Sequence, residues 1–113
     1  MSIREMLLAL PPKVETVEGC GDLGTVYLRV MGGAERAEWQ RITYLNGDKC
    51  DTSNCFARLL VFCLCEPDGT RSFTDKEAEL LGSKDGVILE MLFWRARKLN
   101  RLDAGALDAA KKD

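Results

Sequence analysis

Cysteine is the residue type in this chain with the widest chemical scope. Thiolates can bind zinc or carry redox chemistry, but both uses depend on particular spacings. The pairs Cys50-x4-Cys55 and Cys63-x-Cys65 fit no common structural zinc site, and the chain has no histidine to complete one. Cys20 stands alone in a glycine-rich stretch. The sequence therefore predicts cysteines that act as small hydrophobes, with no metal and no cofactor bound.

Other catalytic groups are equally scarce. The absence of histidine removes the commonest general base at neutral pH. No nucleophile elbow, phosphate-binding loop or paired metal carboxylates can be recognised. Glu66 and Asp68 flank a Pro-Asp-Gly turn and are explained by turn formation. We therefore predict that the protein is not an enzyme, and a thiol-dependent enzyme is an alternative that rests on the cysteines alone.

Composition narrows the possible partners. The 113 residues suit one domain, and 16 basic and 18 acidic residues give a net charge of −2. Such a near balance predicts no binding to nucleic acid, which usually requires a basic patch. The longest apolar run is too short for a membrane span, and no signal peptide is recognised. Together with the odd number of cysteines, this predicts a cytoplasmic protein with reduced thiols.

The segment from Ala57 to Leu81 organises the predicted fold. Its apolar run, 59–65, is followed by a Pro-Asp-Gly turn and then by a capping box formed by Thr74 and Glu77. Apolar residues at helical spacing predict a buried helix over about 54–65, and the capping box begins another over about 74–82. Because a short apolar run fits both the helical and the strand period, a strand starting near Val61 remains an alternative to helix at 61–65.

The N-terminal third of the chain predicts a helix and a β-hairpin. Ser2 and Glu5 form a second capping box, and Pro11-Pro12 ends the helix that it starts. This helix could dock on the core or lie as an arm on a neighbouring subunit, and we favour docking. Alternating residues on both sides of a glycine-rich loop predict the hairpin, over about 13–30. A helix over about 33–46 follows, ending at Asn46-Gly47.

The last helix, over about 86–102, carries two apolar stripes. One is typical of a core-facing side and consists of Ile88, Leu92, Ala96 and Leu99, reinforced by Leu89 and Phe93. The other, on a different side, consists of Val87, Met91 and Trp94. A second core contact and a contact with another chain explain this second stripe equally well. We treat Val87, Met91 and Trp94 as the candidate surface for a partner or for self-association.

These elements predict a small α+β fold. An N-terminal helix and a β-hairpin (about 13–30) are expected to pack on a cluster of three to four helices (about 33–46, 54–65, 74–82 and 86–102). They form a single domain over residues 1–102. Residues 103–113 are polar and alanine-rich, with no apolar stripe, and are expected to form a flexible C-terminal tail.

Four motifs in order resemble a known family. They are MSIREMLLA, GTVYLRVMGGAERAEWQ, FARLLVFCLCEPDGTRSFTDKEAELLG and ARKLNRL, and they cover Met1 to about Leu102. The ordered set resembles the tail assembly chaperones of bacteriophages with long non-contractile tails, the siphophages. The run of apolar residues leading into a capped T-D-x-E-A helix is the most specific part of this resemblance.

The resemblance implies a function in the cytoplasm of an infected bacterium. Members of the family coat and solubilise the tape measure protein before the tail tube polymerises, and they are absent from the finished virion. In the family a ribosomal frameshift near the end of the gene yields a longer form that engages the tail tube protein. The lysine pair Lys111-Lys112 suggests a hypothesis of our own, that Ala109 to Lys112 overlie the slippery codons. Self-association is also expected. The alternative function is a generic cytosolic protein–protein interaction module or small regulator without catalysis.

Overall fold

A computed structural model describes residues 2–44 and 53–102 of the chain. Its five helices are α1 (Ile3–Ala9), α2 (Gly33–Thr43), α3 (Cys55–Cys63), α4 (Ala78–Gly82) and α5 (Gly86–Leu99). Its three strands are β1 (Val14–Val17), β2 (Val26–Arg29) and β3 (Leu64–Cys65), and 3₁₀ turns cover Gly21–Leu23 and Asp75–Glu77. The predicted α+β class is confirmed. None of these helices is long and apolar enough to cross a membrane.

The three strands form one antiparallel sheet in the order β1-β2-β3. The predicted hairpin is present, with Val14 opposite Arg29 and Val17 opposite Val26. A lone hairpin is marginal in water, and β3 supplies the third strand by pairing Leu64 with Leu28. Both alternatives for residues 61–65 are therefore partly right, because the chain is helical up to Cys63 and extended at Leu64 and Cys65.

Helix α3 forms the centre of the core. Six of its residues are buried: Ala57, Leu59, Leu60, Val61, Phe62 and Cys63. Helix α5 packs against it through the predicted core stripe, with Leu89, Leu92, Phe93 and Ala96 buried and Ile88 and Leu99 half-buried. The prediction that the rest of the chain is organised around this apolar run is confirmed for these helices.

Hydrogen bonds fix the ends of the helices. The Ser2 hydroxyl accepts from the Glu5 N–H at 3.1 Å, as predicted. At the capping box predicted for Thr74 and Glu77, the Glu77 carboxylate accepts from the Thr74 N–H at 2.7 Å. Helix α5 was predicted to reach residue 102 but ends at Leu99. There the Leu102 N–H donates to the Arg97 carbonyl and Arg101 takes a φ of 55°, which is a Schellman motif.

The expected docking of the N-terminal helix is wrong for this chain on its own. Helix α1 has no buried residue, so it contributes nothing to the core. Pro12, after this helix, lies against the turn that follows β3, where a β-carbon on Gly69 would be 2.8 Å from the Pro12 Cγ. The predicted end of α2 at Asn46-Gly47 and the predicted tail at 103–113 lie outside the described residues.

Candidate interaction surface

The predicted surface residues Val87, Met91 and Trp94 lie together on the outer side of α5. Their spacing of four and three residues places them on one helical face. They are 79%, 38% and 54% exposed, whereas the opposite side of α5 is buried in the core. Within the described residues, a second contact with the core therefore does not explain this stripe. We call Val87, Met91 and Trp94 the α5 face.

Trp94 is held in place by its neighbours on α5. Its ring meets Phe93 edge-on at a centroid distance of 5.3 Å. The guanidinium of Arg97 lies 5.6 Å from the Trp94 centroid and 5.5 Å from that of Phe93. Arg97 also donates to the Leu102 carbonyl at 2.7 Å, which ties it to the end of the helix. An exposed tryptophan beside an arginine is typical of the anchor residues of protein interfaces.

A second apolar surface lies on α1. Its apolar residues and Leu10 beyond its end are between 49% and 71% exposed: Ile3, Met6, Leu7, Leu8 and Leu10. Four of them recur at helical spacing, and we call Ile3, Met6, Leu7 and Leu10 the α1 stripe. An apolar stripe of this kind on a short helix needs a partner, because isolated helices of this length are marginal in water.

A third surface is a concave one, which we call the apolar groove. It has a volume of about 480 Å³ and lies between the β1–β2 connection, β3, α4 and α5. Its apolar lining includes Leu23, Val26, Phe73, Leu81, Ile88 and Leu92. Its charged rim consists of Asp22, Lys84 and Asp85. The sequence did not predict this groove, because its walls come from segments far apart in the chain.

A cluster of charged side chains joins α2, β2 and the segment after β3. Glu35 pairs with Arg29, and its Oε2 is 3.4 Å from Arg71 Nη1. Burial tends to raise the pKa of Glu35. Hydrogen bonds from Arg29 and the Gly32 N–H, together with the positive charges of Arg29 and Arg71, outweigh burial and lower the pKa below 4.5. Since every charge has an opposite partner, the cluster is explained by holding α2 against the sheet.

Asn100 joins three elements at the end of α5. Its Oδ1 accepts from the Met31 N–H at 2.8 Å, and its Nδ2 donates to the Ala96 carbonyl at 2.9 Å. The same Nδ2 lies 3.5 Å from the Cys63 sulfur at the end of α3. The residue is 2% exposed. Its amide therefore fixes α5, and with it the α5 face, relative to the end of β2 and to α3.

The described cysteines lie mainly in the core, as predicted. Cys20, Cys63 and Cys65 are buried, Cys55 is half-buried, and all four are free thiols. Burial raises the pKa of Cys63 to about 12, so this thiol is far from the reactive thiolate form. Within residues 2–44 and 53–102, no group of three or more potential ligands could hold a metal ion. Cys50 lies outside the described residues.

Comparison with known proteins addresses the fold. No protein-family model matches the sequence, and neither does any curated protein. A solved structure does match: the bacteriophage HK97 tail assembly chaperone, with a TM-score of 0.60 and 23% sequence identity. This chain has the fold of a phage tail assembly chaperone. The match covers 88% of this chain and 95% of the HK97 chain, so it concerns the whole domain.

The fold match and the ordered sequence motifs agree. The resemblance to siphophage tail assembly chaperones, drawn from four motifs between Met1 and about Leu102, is thus confirmed at the level of the fold. Of the surfaces described above, the α5 face was predicted residue by residue. The α1 stripe was visible in the sequence, where docking on the core was favoured over an arm on a neighbouring subunit; the structure leaves the stripe exposed.

Proposed function

We propose that this protein is a tail assembly chaperone of a siphophage, acting in the cytoplasm of the infected bacterium without catalysis. It would bind and solubilise the tape measure protein while the tail is assembled, and it would not remain in the finished virion. The observation that carries the proposal is the fold shared with the HK97 tail assembly chaperone over nearly the full length of both chains. The ordered motifs in the sequence support the same function.

The α5 face supplies a physical basis for this function. A tape measure protein that is long and helical presents apolar helix faces that would otherwise aggregate in water. The α5 face is itself an exposed apolar helix face, with Trp94 as its largest side chain, and can pack along such a partner. Many weak contacts along one long partner would add up through avidity.

Recruitment of the tail tube protein would belong to a longer form of the chain. In this proposal a frameshift at the codons for 109–112 extends a fraction of the molecules, and the extension contacts the tube subunit. Mass spectrometry of the products of the natural operon then detects two forms that share residues 1–108. Detection of a single 113-residue form would contradict the frameshift but would leave the binding of the tape measure protein untouched.

Co-expression tests the central claim. The genomic neighbourhood is searched for a long, helix-rich reading frame, whose product is expressed with and without this chain, and its soluble fraction is measured. We expect the wild-type chain to keep the partner soluble and to be captured with it. Trp94→Ala and Met91→Ser are expected to reduce capture by about 30-fold or more, the size of an interface hot spot. Their melting temperatures should stay close to wild type, because both side chains are exposed.

Gln40→Ala provides the control. Gln40 is exposed on α2, away from the α5 face. Its replacement is expected to leave capture unchanged. If Trp94→Ala and Gln40→Ala capture the partner equally well, the α5 face is not the contact. If the wild-type chain neither captures nor solubilises the partner, the proposed chaperone function is wrong, and a generic interaction module becomes the better description.

A further inference from the structure

A pocket at the C-terminal end of α5 is lined mainly by basic side chains. It has a volume of about 390 Å³ and lies between the start of β1 and the last turn of α5. Its basic residues are all exposed, and we call them the basic pocket: Lys13, Arg95, Lys98 and Arg101. Among the described residues of the lining, Glu15 is the only carboxylate, and it accepts from Arg95 Nη2 at 2.6 Å. Within the described chain, the other three cations have no ion pair.

The end of α5 does not need these cations as caps. Basic residues near a helix C-terminus are often explained by the carbonyls that lack an intrahelical partner there. The Asn100 carbonyl accepts from Arg36 Nη1 at 2.7 Å, and the Leu102 carbonyl accepts from Arg97 Nη2 at 2.7 Å. Neither guanidinium belongs to the basic pocket. Lys13 comes from a different segment, before β1, so the concentration of positive charge is not a property of the helix end alone.

The basic pocket continues the α5 face along the helix. Lys98 follows Trp94 by four residues, just as Met91 follows Val87 by four and precedes Trp94 by three. These residues therefore lie on one side of α5, and all of them are exposed. From Val87 to Lys98 this side is about 16 Å long, since a helix rises about 1.5 Å per residue. It changes from apolar to cationic toward the C-terminal end of α5.

A partner that covers this whole side must match both of its parts. Apolar side chains at helical spacing would pack on the α5 face, and carboxylates at one end of the same helix would pair with the basic pocket. Acidic residues are favourable at the N-terminal end of a helix, because they oppose the positive end of its dipole. A helix of this kind brings its acidic end to the basic pocket when it runs antiparallel to α5.

A second copy of α5 does not supply such an end. In a two-fold antiparallel pair centred on Met91, Lys98 of one copy lies opposite Lys84 of the other, because each is seven residues from the centre. The Asp85 carboxylate next to Lys84 already accepts from the Val87 N–H at 2.9 Å, as the cap of α5. Nucleic acid matches the cations but offers its phosphate backbone no counterpart to the apolar part of this side.

We propose that the basic pocket binds acidic residues in the N-terminal turns of a partner helix that packs antiparallel on the α5 face. The inference rests on the proposed function, because the occupant is the helical protein that the chaperone would bind. It adds the residue type that the partner presents beside its apolar face and the direction in which the partner lies on α5.

Two designed helical peptides test the charge. Both carry leucines at heptad spacing, and one has glutamates in its N-terminal turns where the other has glutamines. Isothermal titration calorimetry with the full chain measures the two dissociation constants. We expect the glutamate peptide to bind about tenfold more tightly at low salt, and the two constants to converge as added salt screens the charges.

Charge reversals assign this preference to the basic pocket. Lys98→Glu and Lys13→Glu, on different elements, are each expected to remove most of the preference for the glutamate peptide. Lys76→Glu, the same change at an exposed position outside the basic pocket, is the matched control and is expected to keep it. All three positions are exposed, so the fold should be retained, as circular dichroism can verify.

Cross-linking to the captured partner tests the direction. A photoreactive amino acid replaces Val87 in one preparation and Lys98 in another, and the products are mapped on the partner's sequence. We expect the Lys98 position to react beside acidic residues of the partner. In an antiparallel pair this site lies about 11 residues N-terminal to the site that reacts with the Val87 position, matching the separation of the two positions on α5.

Different results overturn different parts of the inference. Equal binding of the two peptides, or equal behaviour of Lys98→Glu and Lys76→Glu, would exclude the basic pocket as the acidic site. The opposite order of cross-links would overturn the direction. Duplex DNA that displaces the glutamate peptide, or a dimer that Lys98→Glu dissociates, would assign the pocket to nucleic acid or to a second copy.

The inference and the proposed function can fail separately. The designed peptides contain no tape measure sequence, so their binding does not depend on capture of that protein. Capture that persists while the two peptides bind equally would refute the acidic site and leave the chaperone function standing. A clear preference for the glutamate peptide without any capture would count against the chaperone function and support the acidic site.

Discussion

Replacing Asn100 by alanine is expected to destabilise the domain by about 2 to 4 kcal/mol. The Met31 N–H is buried and donates to Asn100 Oδ1 at 2.8 Å, so alanine leaves this donor without a partner. An unsatisfied buried donor costs about 1 to 3 kcal/mol, and the lost bond about 1 kcal/mol more. The Ala96 carbonyl adds little, because it also accepts from the Asn100 backbone N–H at 2.9 Å.

Urea unfolding measures this loss. At an m-value of about 1 to 3 kcal/mol per molar urea, typical of small domains, the midpoint should fall by about 1 M or more with no change in slope. Gln40→Ala removes a similar amide from an exposed position on α2 and is expected to stay within about 0.5 kcal/mol of wild type.

The comparison of Asn100→Ala with Gln40→Ala tests whether the Met31 N–H is bonded to Asn100 in solution. If Asn100→Ala unfolds at the same urea concentration as Gln40→Ala, then the Met31 N–H is not buried and bonded in solution. The attachment of α5 to the end of β2 described above would then be wrong. Because that attachment positions the α5 face, the same variant should also reduce capture of a partner at temperatures near its own melting point.

Two further predictions concern titrating groups. The folded pKa of Glu35 lies below 4.5, so its carboxylate contributes stability above pH 4.5 that is lost as the pH falls through the folded pKa. Glu35→Gln should therefore be less stable than wild type at pH 7, and the difference should shrink as the pH falls through the folded pKa of Glu35. Glu90→Gln, at an exposed position, is the control, and parallel stability curves for Glu35→Gln and wild type would refute this. Burial raises the pKa of Cys63 from 9.0 to about 12. The stability contributed by the protonated thiol is therefore present below pH 9 and is lost as the pH rises toward 12. Cys63 should react with a thiol reagent only after unfolding, well after the half-buried Cys55, and rapid native labelling of Cys63 would contradict its burial.

The sequence predicted the helices of the core well because each has a strong local signal. Helix α3 has a dense apolar run, and α5 has a long core stripe. The capping box predicted to begin a helix over about 74–82 begins the 3₁₀ turn Asp75–Glu77, and α4 follows it from Ala78. The same local signals could not decide how residues 61–65 behave. The chain becomes extended at Leu64 because β2 offers an edge for pairing with β3, and Arg71 binds the Val61 carbonyl near the helix end at 2.8 Å. Both are tertiary contacts.

The surfaces were predictable to different degrees. Val87, Met91 and Trp94 were found because a second stripe on one helix shows in the sequence as a period. The position of α1 was missed because a stripe indicates that a face needs a partner but not which partner. The groove could not be found at all, since Leu23 and Leu92 come from opposite halves of the chain and have no shared local pattern.

The core of this domain forms without helix α1. Helix α1 adds no side chain to the core and is joined to the domain through two prolines. Substitutions at its exposed positions should therefore carry almost no thermodynamic penalty to the domain. An evolving lineage could vary the seven residues of α1 widely while the core positions stay under selection for the fold.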